Sequence, residues 1–167
     1  MGSDVDPRLS TLLGRPLPRR DRPTDTHYTF EVAAYWEDDF LDAVRAGLRR
    51  RIVVGGLRSA GRGNLAVELP APLRPYSLAR LRGRTARLVF PAAAEVALRS
   101  PDGALGVPRT EPTRGLPVEA ARYDLAFDEA LAFRYGTLSF VCRFVHRDGR
   151  PRQPLDWMRA LRPGSMD

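Results

Sequence analysis

Between Thr26 and Leu69 the spacing of apolar residues changes from two to 3.6 and back, and this change of period limits the folds open to the chain more than any other feature. In THYTFEVAAYW, the residues Tyr28, Phe30, Val32, Ala34 and Trp36 alternate onto one face, the mark of a half-buried strand from Thr26 to Trp36. Asp38 or Asp39 can then cap a helix from about Asp39 to Arg51. Phe40, Leu41, Val44 and Leu48 recur there at helical spacing, and Arg45, Arg49, Arg50 and Arg51 load the C-terminal half, where the helix dipole favours cations. A short apolar run, a glycine-rich loop and a strand from about Leu65 to Leu69 follow, and Pro70 ends that strand.

Strand, helix, loop and strand make half of a ferredoxin-like unit. The fold class predicted is α+β: an RRM/ferredoxin-like antiparallel sheet with the helix packed on one face, the glycine loop at the sheet's edge, and extra loops and strands towards the C-terminus. The length and the 43% of hydrophobic residues suit one globular domain, spanning 26–167. Residues 1–25 hold Pro7, Pro16, Pro18 and Pro23 among Arg15, Arg19, Arg20 and Arg22, and read as a basic, flexible, extended arm. Beyond Leu69, Pro70, Pro72 and Pro75 open a linker, and strand-like segments follow at 85–90 and 94–100, with Asp102-Gly103 as a turn. The stretch 101–120 reads as an irregular loop. Strands are expected again near Tyr123–Phe127 and Gly136–Val145, then a short amphipathic helix from Leu155 to Leu161.

In the loop, Gly55, Gly56, Gly61 and Gly63 free the backbone to bend through positive φ and to approach a ligand closely. Arg58 and Arg62 add charge-assisted hydrogen bonds and Ser59 a hydroxyl, so the segment holds the parts of a polyanion cradle. It is neither a Walker A loop, which needs Lys before Ser or Thr after its last glycine, nor a dinucleotide fingerprint, which follows a strand and opens a helix. The charge points the same way: 27 basic residues against 20 acidic ones give +7 and a pI near 10.6. Every basic residue is arginine. GC-rich coding accounts for part of that, but arginine's planar fork also suits phosphates.

The run from Tyr28 to Leu69, and above all Gly55, Gly56, Arg58, Ser59, Gly61 and Gly63, resembles the RAMP superfamily of CRISPR-associated proteins, whose hallmark is a G-G-x-R-S-x-G-x-G loop in an RRM-like fold. The resemblance covers about a quarter of the chain and is nearest to backbone subunits of type III effector complexes. It implies an RNA-binding subunit of a ribonucleoprotein used in antiviral defence. That subunit contacts the guide RNA (crRNA) through the loop and through Arg49, Arg50 and Arg51, with target RNA and other CRISPR effector subunits as further partners. Family members place a first strand and an insertion ahead of the segment aligned here, and cleaving subunits draw an aspartate from that half. Only residues 1–25 stand there in this chain, so the resemblance supplies no catalytic residue; either the strand near Gly136–Val145 or a neighbouring subunit completes the sheet, or the chain is a divergent or split member.

Two other readings compete. A guide-processing endoribonuclease of the same superfamily could use His27 or His146, the only histidines, as a metal-free general base, although each also reads as an ordinary surface histidine. An assembly protein would touch only neighbouring subunits. For the loop the bland alternative is a bare connection. Tyr28, Phe30 and Trp36 read either as base-stacking rings or as core, Glu37-Asp38-Asp39 as a helix N-terminus, and Cys142 as a small buried residue. No cofactor or metal is expected, because no Cys or His cluster has ligand spacing. With no secretory pattern and no apolar run of membrane-spanning length, the expected location is cytoplasmic and away from membranes.

Overall fold

The computed structural model describes residues 5–148 apart from 15, 48 and 57–62. Strand β1 (Thr29–Trp36) forms where the alternation places it. The predicted helix after it does not exist: Asp39–Arg45 is strand β2 and Arg51–Val54 is strand β3. Glu37, at φ 54, turns the chain through a two-residue hairpin that pairs Trp36 with Asp39. A bulge at Leu41 then shifts the register between Tyr35–Phe40 and Ala34–Asp42. The apolar residues that suggested a helical stripe therefore divide between two faces. Val44 packs on the inner core, and Phe40 and Ala43 pack on the outer side of the sheet.

The remaining strands are β4 (Asn64–Leu65), β5 (Tyr76–Arg82), β6 (Thr85–Pro91), β7 (Glu95–Arg99), β8 (Leu105–Gly106), β9 (Glu111–Thr113), β10 (Ala120–Leu125), β11 (Ala130–Tyr135) and β12 (Leu138–Val145). They form two six-stranded sheets. Sheet I has the order β2-β1-β12-β11-β7-β8 and sheet II the order β4-β3-β5-β6-β10-β9. All pairings are antiparallel except β3 with β4. The α+β, ferredoxin-like expectation is thus corrected to a mainly β sandwich. The segment read as a linker after Pro70 contains β5, and the irregular stretch 101–120 contains β8 and β9.

One core lies between the sheets. Phe30, Val32 and Ala34 of β1 and Phe140, Cys142 and Phe144 of β12 meet Ile52, Leu78, Leu88 and Phe90 of sheet II. Phe90 and Phe133 stack at 5.1 Å and Phe133 and Phe140 at 4.9 Å, tying the two sheets through aromatic contacts.

Sheet I is covered on its outer face too, by the segment expected to be an extended arm. Helix α1 (Pro7–Leu13) begins with proline at its first position, where a missing N–H costs nothing, and Asp6 caps it by accepting from the Arg8 amide at 2.9 Å. Leu9 and Leu13, 0% and 1% exposed, sit on Ala33, Tyr35, Ala97, Ala132 and Val141. Arg134 grips Asp6 and Glu95 together. Burial pushes the Asp6 carboxyl up, but hydrogen bonds from Arg134 and the Arg8 amide outweigh it and hold the group at about 2.

Candidate functional site

The glycine loop joins β3 to β4, which lie side by side and parallel, so it follows a strand and not the expected helix. Gly55 and Gly63 have φ of 93° and 84°. A Cβ on Gly55 would lie 2.5 Å from Leu69 Cδ1 and 3.0 Å from the Pro75 Cα, and one on Gly63 3.0 Å from the Arg51 carbonyl oxygen. Their amides are already engaged: Gly55 N–H donates to the Leu65 carbonyl at 3.0 Å and Gly63 N–H to the Arg45 carbonyl at 3.1 Å. Both glycines are required by the fold at the mouth of the loop, and neither offers its N–H to a ligand. Gly56 is half-buried beside Gly55, while Arg58, Ser59, Gly61 and Arg62 lie outside the described residues.

Arg49, Arg50 and Arg51, expected along a helix, instead form the corner that leads into β3. Arg50 adopts φ 56, donates from Nη2 to the Gly83 carbonyl at 3.2 Å and accepts from the Leu81 amide at 2.8 Å, fastening the corner to the β5–β6 turn. Arg49 is exposed. Arg51 opens a row that the sequence reading missed. Cross-strand register sets Arg51 opposite Arg80, Arg80 opposite Arg87, and Arg87 opposite Asp124. Neighbouring strands lie about 4.8 Å apart, so three guanidinium stems stand within about 10 Å on the outer face of sheet II. Arg82, two residues from Arg80 and exposed, extends the row along β5.

Acidic neighbours neutralise this face only in part. Asp124 takes Arg87 Nε at 2.9 Å and Nη2 at 3.3 Å; that contact holds the Asp124 carboxyl below its ordinary value and raises the Arg87 guanidinium above its own. Glu111 pairs with Arg122 at 3.0 Å. Among the described residues, Arg51, Arg80 and Arg82 form no close ion pair, although the charge of Arg82 also helps to lower the Asp124 carboxyl. The pairs across this face, among the described residues, include Arg51–Arg80, Arg80–Arg87, Val53–Ser77, Arg87–Asp124 and Val89–Arg122, with no aromatic ring. The face thus presents arginine charge without an aromatic platform. SLARLR shows Arg80 and Arg82 alternating with apolar residues, but their alignment with Arg51 and Arg87 comes only from strand pairing.

The other candidates are placed plainly. Phe30 is core, Tyr28 packs edge-on against Phe127 and Phe144, and Trp36 is 52% exposed at a hairpin, so the three do not form a stacking platform. His27 and His146 lie together, their rings parallel and 5.7 Å apart; His146 Nδ1 accepts from the Asp148 amide at 3.0 Å, and His27 Nδ1 meets Thr26 Oγ1 at 2.9 Å. Glu37 and Asp38 form a hairpin turn, and Glu37 pairs with Arg8 at 3.1 Å. Cys142 is wholly buried, and burial pushes its thiol up. Among the described residues no group of three or more His, Cys, Asp or Glu side chains could hold a metal, and no helix is long and apolar enough to cross a membrane. The expected helix at Leu155–Leu161 lies outside the described residues.

Fold and face together define a two-sheet β-sandwich with an arginine-bearing outer sheet. No family model, curated protein or solved structure matches the chain.

Proposed function

We propose that this chain is an RNA-binding protein that takes the phosphate backbone on the outer face of sheet II. The row Arg51–Arg80–Arg87 carries the reading: like charges directly opposite one another on a sheet oppose folding, and a polyanion laid across them turns that repulsion into attraction. The family resemblance implied a packed helix, which the fold lacks, so the proposal rests on the arginine face and extends to RNA as a class, not to a particular guide or complex. Binding through phosphates is indifferent to base sequence and weakens steeply with salt.

The test is fluorescence anisotropy with RNAs of unrelated sequence over a range of salt concentrations. Three phosphate contacts predict a log–log slope of at least about −2, equal across sequences. A flat salt dependence, or no binding at low salt, would sink the proposal. Equal affinity for DNA would widen the ligand to nucleic acid in general.

A further inference from the structure

A cleft of about 500 Å³, within the size range of small-molecule sites, lies between the segment after α1 and the turns at one end of sheet I. Leu17 and Pro23 line it from that segment, Pro101 from the turn between β7 and β8, and Phe127 from the turn between β10 and β11. Arg22 Nε donates to the Leu17 carbonyl at 3.0 Å, and the Asp21 carbonyl accepts from the His146 amide at 2.8 Å. The segment is thereby tied to itself and to the end of β12.

Three arginines and three carboxylates line the cleft, so their formal charges cancel. Most of these groups are already engaged. Arg22 fastens its own segment, and Arg143, 8% exposed, has a partner. Asp102 accepts from the Ala104 amide at 3.0 Å, and Glu129 accepts from the Tyr123 hydroxyl at 3.1 Å and the Ala126 amide at 2.9 Å. Arg99 and Asp128 differ: among the described residues their side chains form no hydrogen bond or ion pair, with each other or with anything else. Cross-strand register sets Arg99 of β7 opposite Ala130 of β11, and Asp128 stands in the turn that leads into β11, next to Glu129. One cation and one anion thus lie on neighbouring segments beside an apolar wall, and a molecule carrying both charges would satisfy both at once.

We propose that this cleft binds an α-amino acid with an apolar side chain, its carboxylate taken by Arg99, its ammonium by Asp128 and its side chain laid against Leu17, Pro101 and Phe127. The arginine fork matches a carboxylate in geometry and charge, and the aspartate accepts the hydrogen bonds that an ammonium donates. The balanced lining favours a zwitterion over either single ion: a bare anion would face Asp128 and a bare cation would face Arg99, each with like charge. The site lies on the opposite sheet from the arginine face and stands or falls independently of RNA binding.

L-Phenylalanine is a suitable probe, titrated into the full chain by calorimetry with the melting temperature followed in parallel. Saturable binding is expected with Kd on the order of millimolar for a ligand of this size. Three analogues dissect it: 3-phenylpropanoate lacks the ammonium, phenethylamine lacks the carboxylate, and glycine keeps both charges without the apolar body. Each should bind about tenfold or more weakly. Arg99→Gln should lose a similar factor for phenylalanine and leave phenethylamine unaffected, whereas Asp128→Asn should weaken phenylalanine and leave or improve 3-phenylpropanoate. Both variants should keep the ligand-free melting temperature, and if one fails to fold, the other decides with the analogues. The assignment is overturned if phenylalanine does not saturate, if any of the three analogues binds as tightly, or if a folded variant binds phenylalanine as wild type does.

Discussion

Arg80 sits between Arg51 and Arg87, with like charge on both sides, so its removal should act in opposite directions on folding and on RNA binding. Arg80→Thr keeps the preference for a strand and deletes the charge. With charge centres roughly 6 Å apart, each repulsion amounts to about 0.7 kcal/mol in bulk water, and salt screening over a Debye length of about 8 Å roughly halves it. Asp124 already offsets part of the charge of Arg87. The variant should therefore be stabilised by about 0.5 kcal/mol, a rise in melting temperature of about 1–2 °C for a domain of this size, shrinking as salt is added. RNA binding should lose one phosphate contact, lowering the slope of log K against log salt by about 0.7–0.9 and the affinity at ~0.15 M salt by about fourfold. Calorimetric melting at low and high salt, with anisotropy on the same preparations, measures both. A variant that melts lower, or one that binds RNA with unchanged affinity and slope, refutes the reasoning.

Three further outcomes are expected. Leu9→Ala, at a fully buried position under α1, should cost about 2–5 kcal/mol in urea denaturation, whereas an N-terminal segment that packs on nothing would show no change. Asp6 titrates near 2 in the folded protein and near 3.8 when free, so its stabilisation is complete above about pH 4 and is lost as pH falls towards 2. Asp6→Asn should remove on the order of 1–2 kcal/mol at neutral pH and flatten the acid limb of the stability curve between those values. Gly55→Ala should destabilise well beyond Gly103→Ala: both sites have positive φ, but the new methyl meets Leu69 and Pro75 at the first and open space at the second, a contrast that paired melting curves will read directly.

The elements legible in the sequence are those whose period could mean only one thing. Alternation gave β1, β6, β7 and β12; β12, the strand near Gly136–Val145, pairs with β1, but in a sandwich sheet and not as the missing half of an RRM-like unit. The helix was misread because Phe40, Leu41, Val44 and Leu48 satisfy a helical spacing locally. A bulged edge strand that buries Phe40 and Val44 on opposite faces produces the same spacing, and only tertiary contacts separate the two. Prolines misled at both ends of the argument. Pro7 starts α1, where the sequence alone reads it as a barrier to helix, and Pro70, Pro72 and Pro75 mask the strand that begins at Tyr76. At the candidate site, Arg51 was found and Arg80 and Arg87 were not, because their alignment comes from strand pairing and no local pattern contains it. The meeting of His27 with His146 was invisible for the same reason.

The pairing of β1 with β12 has a consequence for how the protein is made. Thr29 lies opposite Val145, so β1 leaves the ribosome long before its central neighbour and finds it only when nearly all of the described chain has been synthesised. Until then β1 has β2 on one flank and bare backbone on the other, with Phe30, Val32 and Tyr35 uncovered. Such long-range closure makes for slow folding and an extended interval of exposed edge, the condition under which nascent chains associate wrongly. Truncation before Leu138 would strip β1 and β11 of their shared partner together, leaving sheet I without a middle.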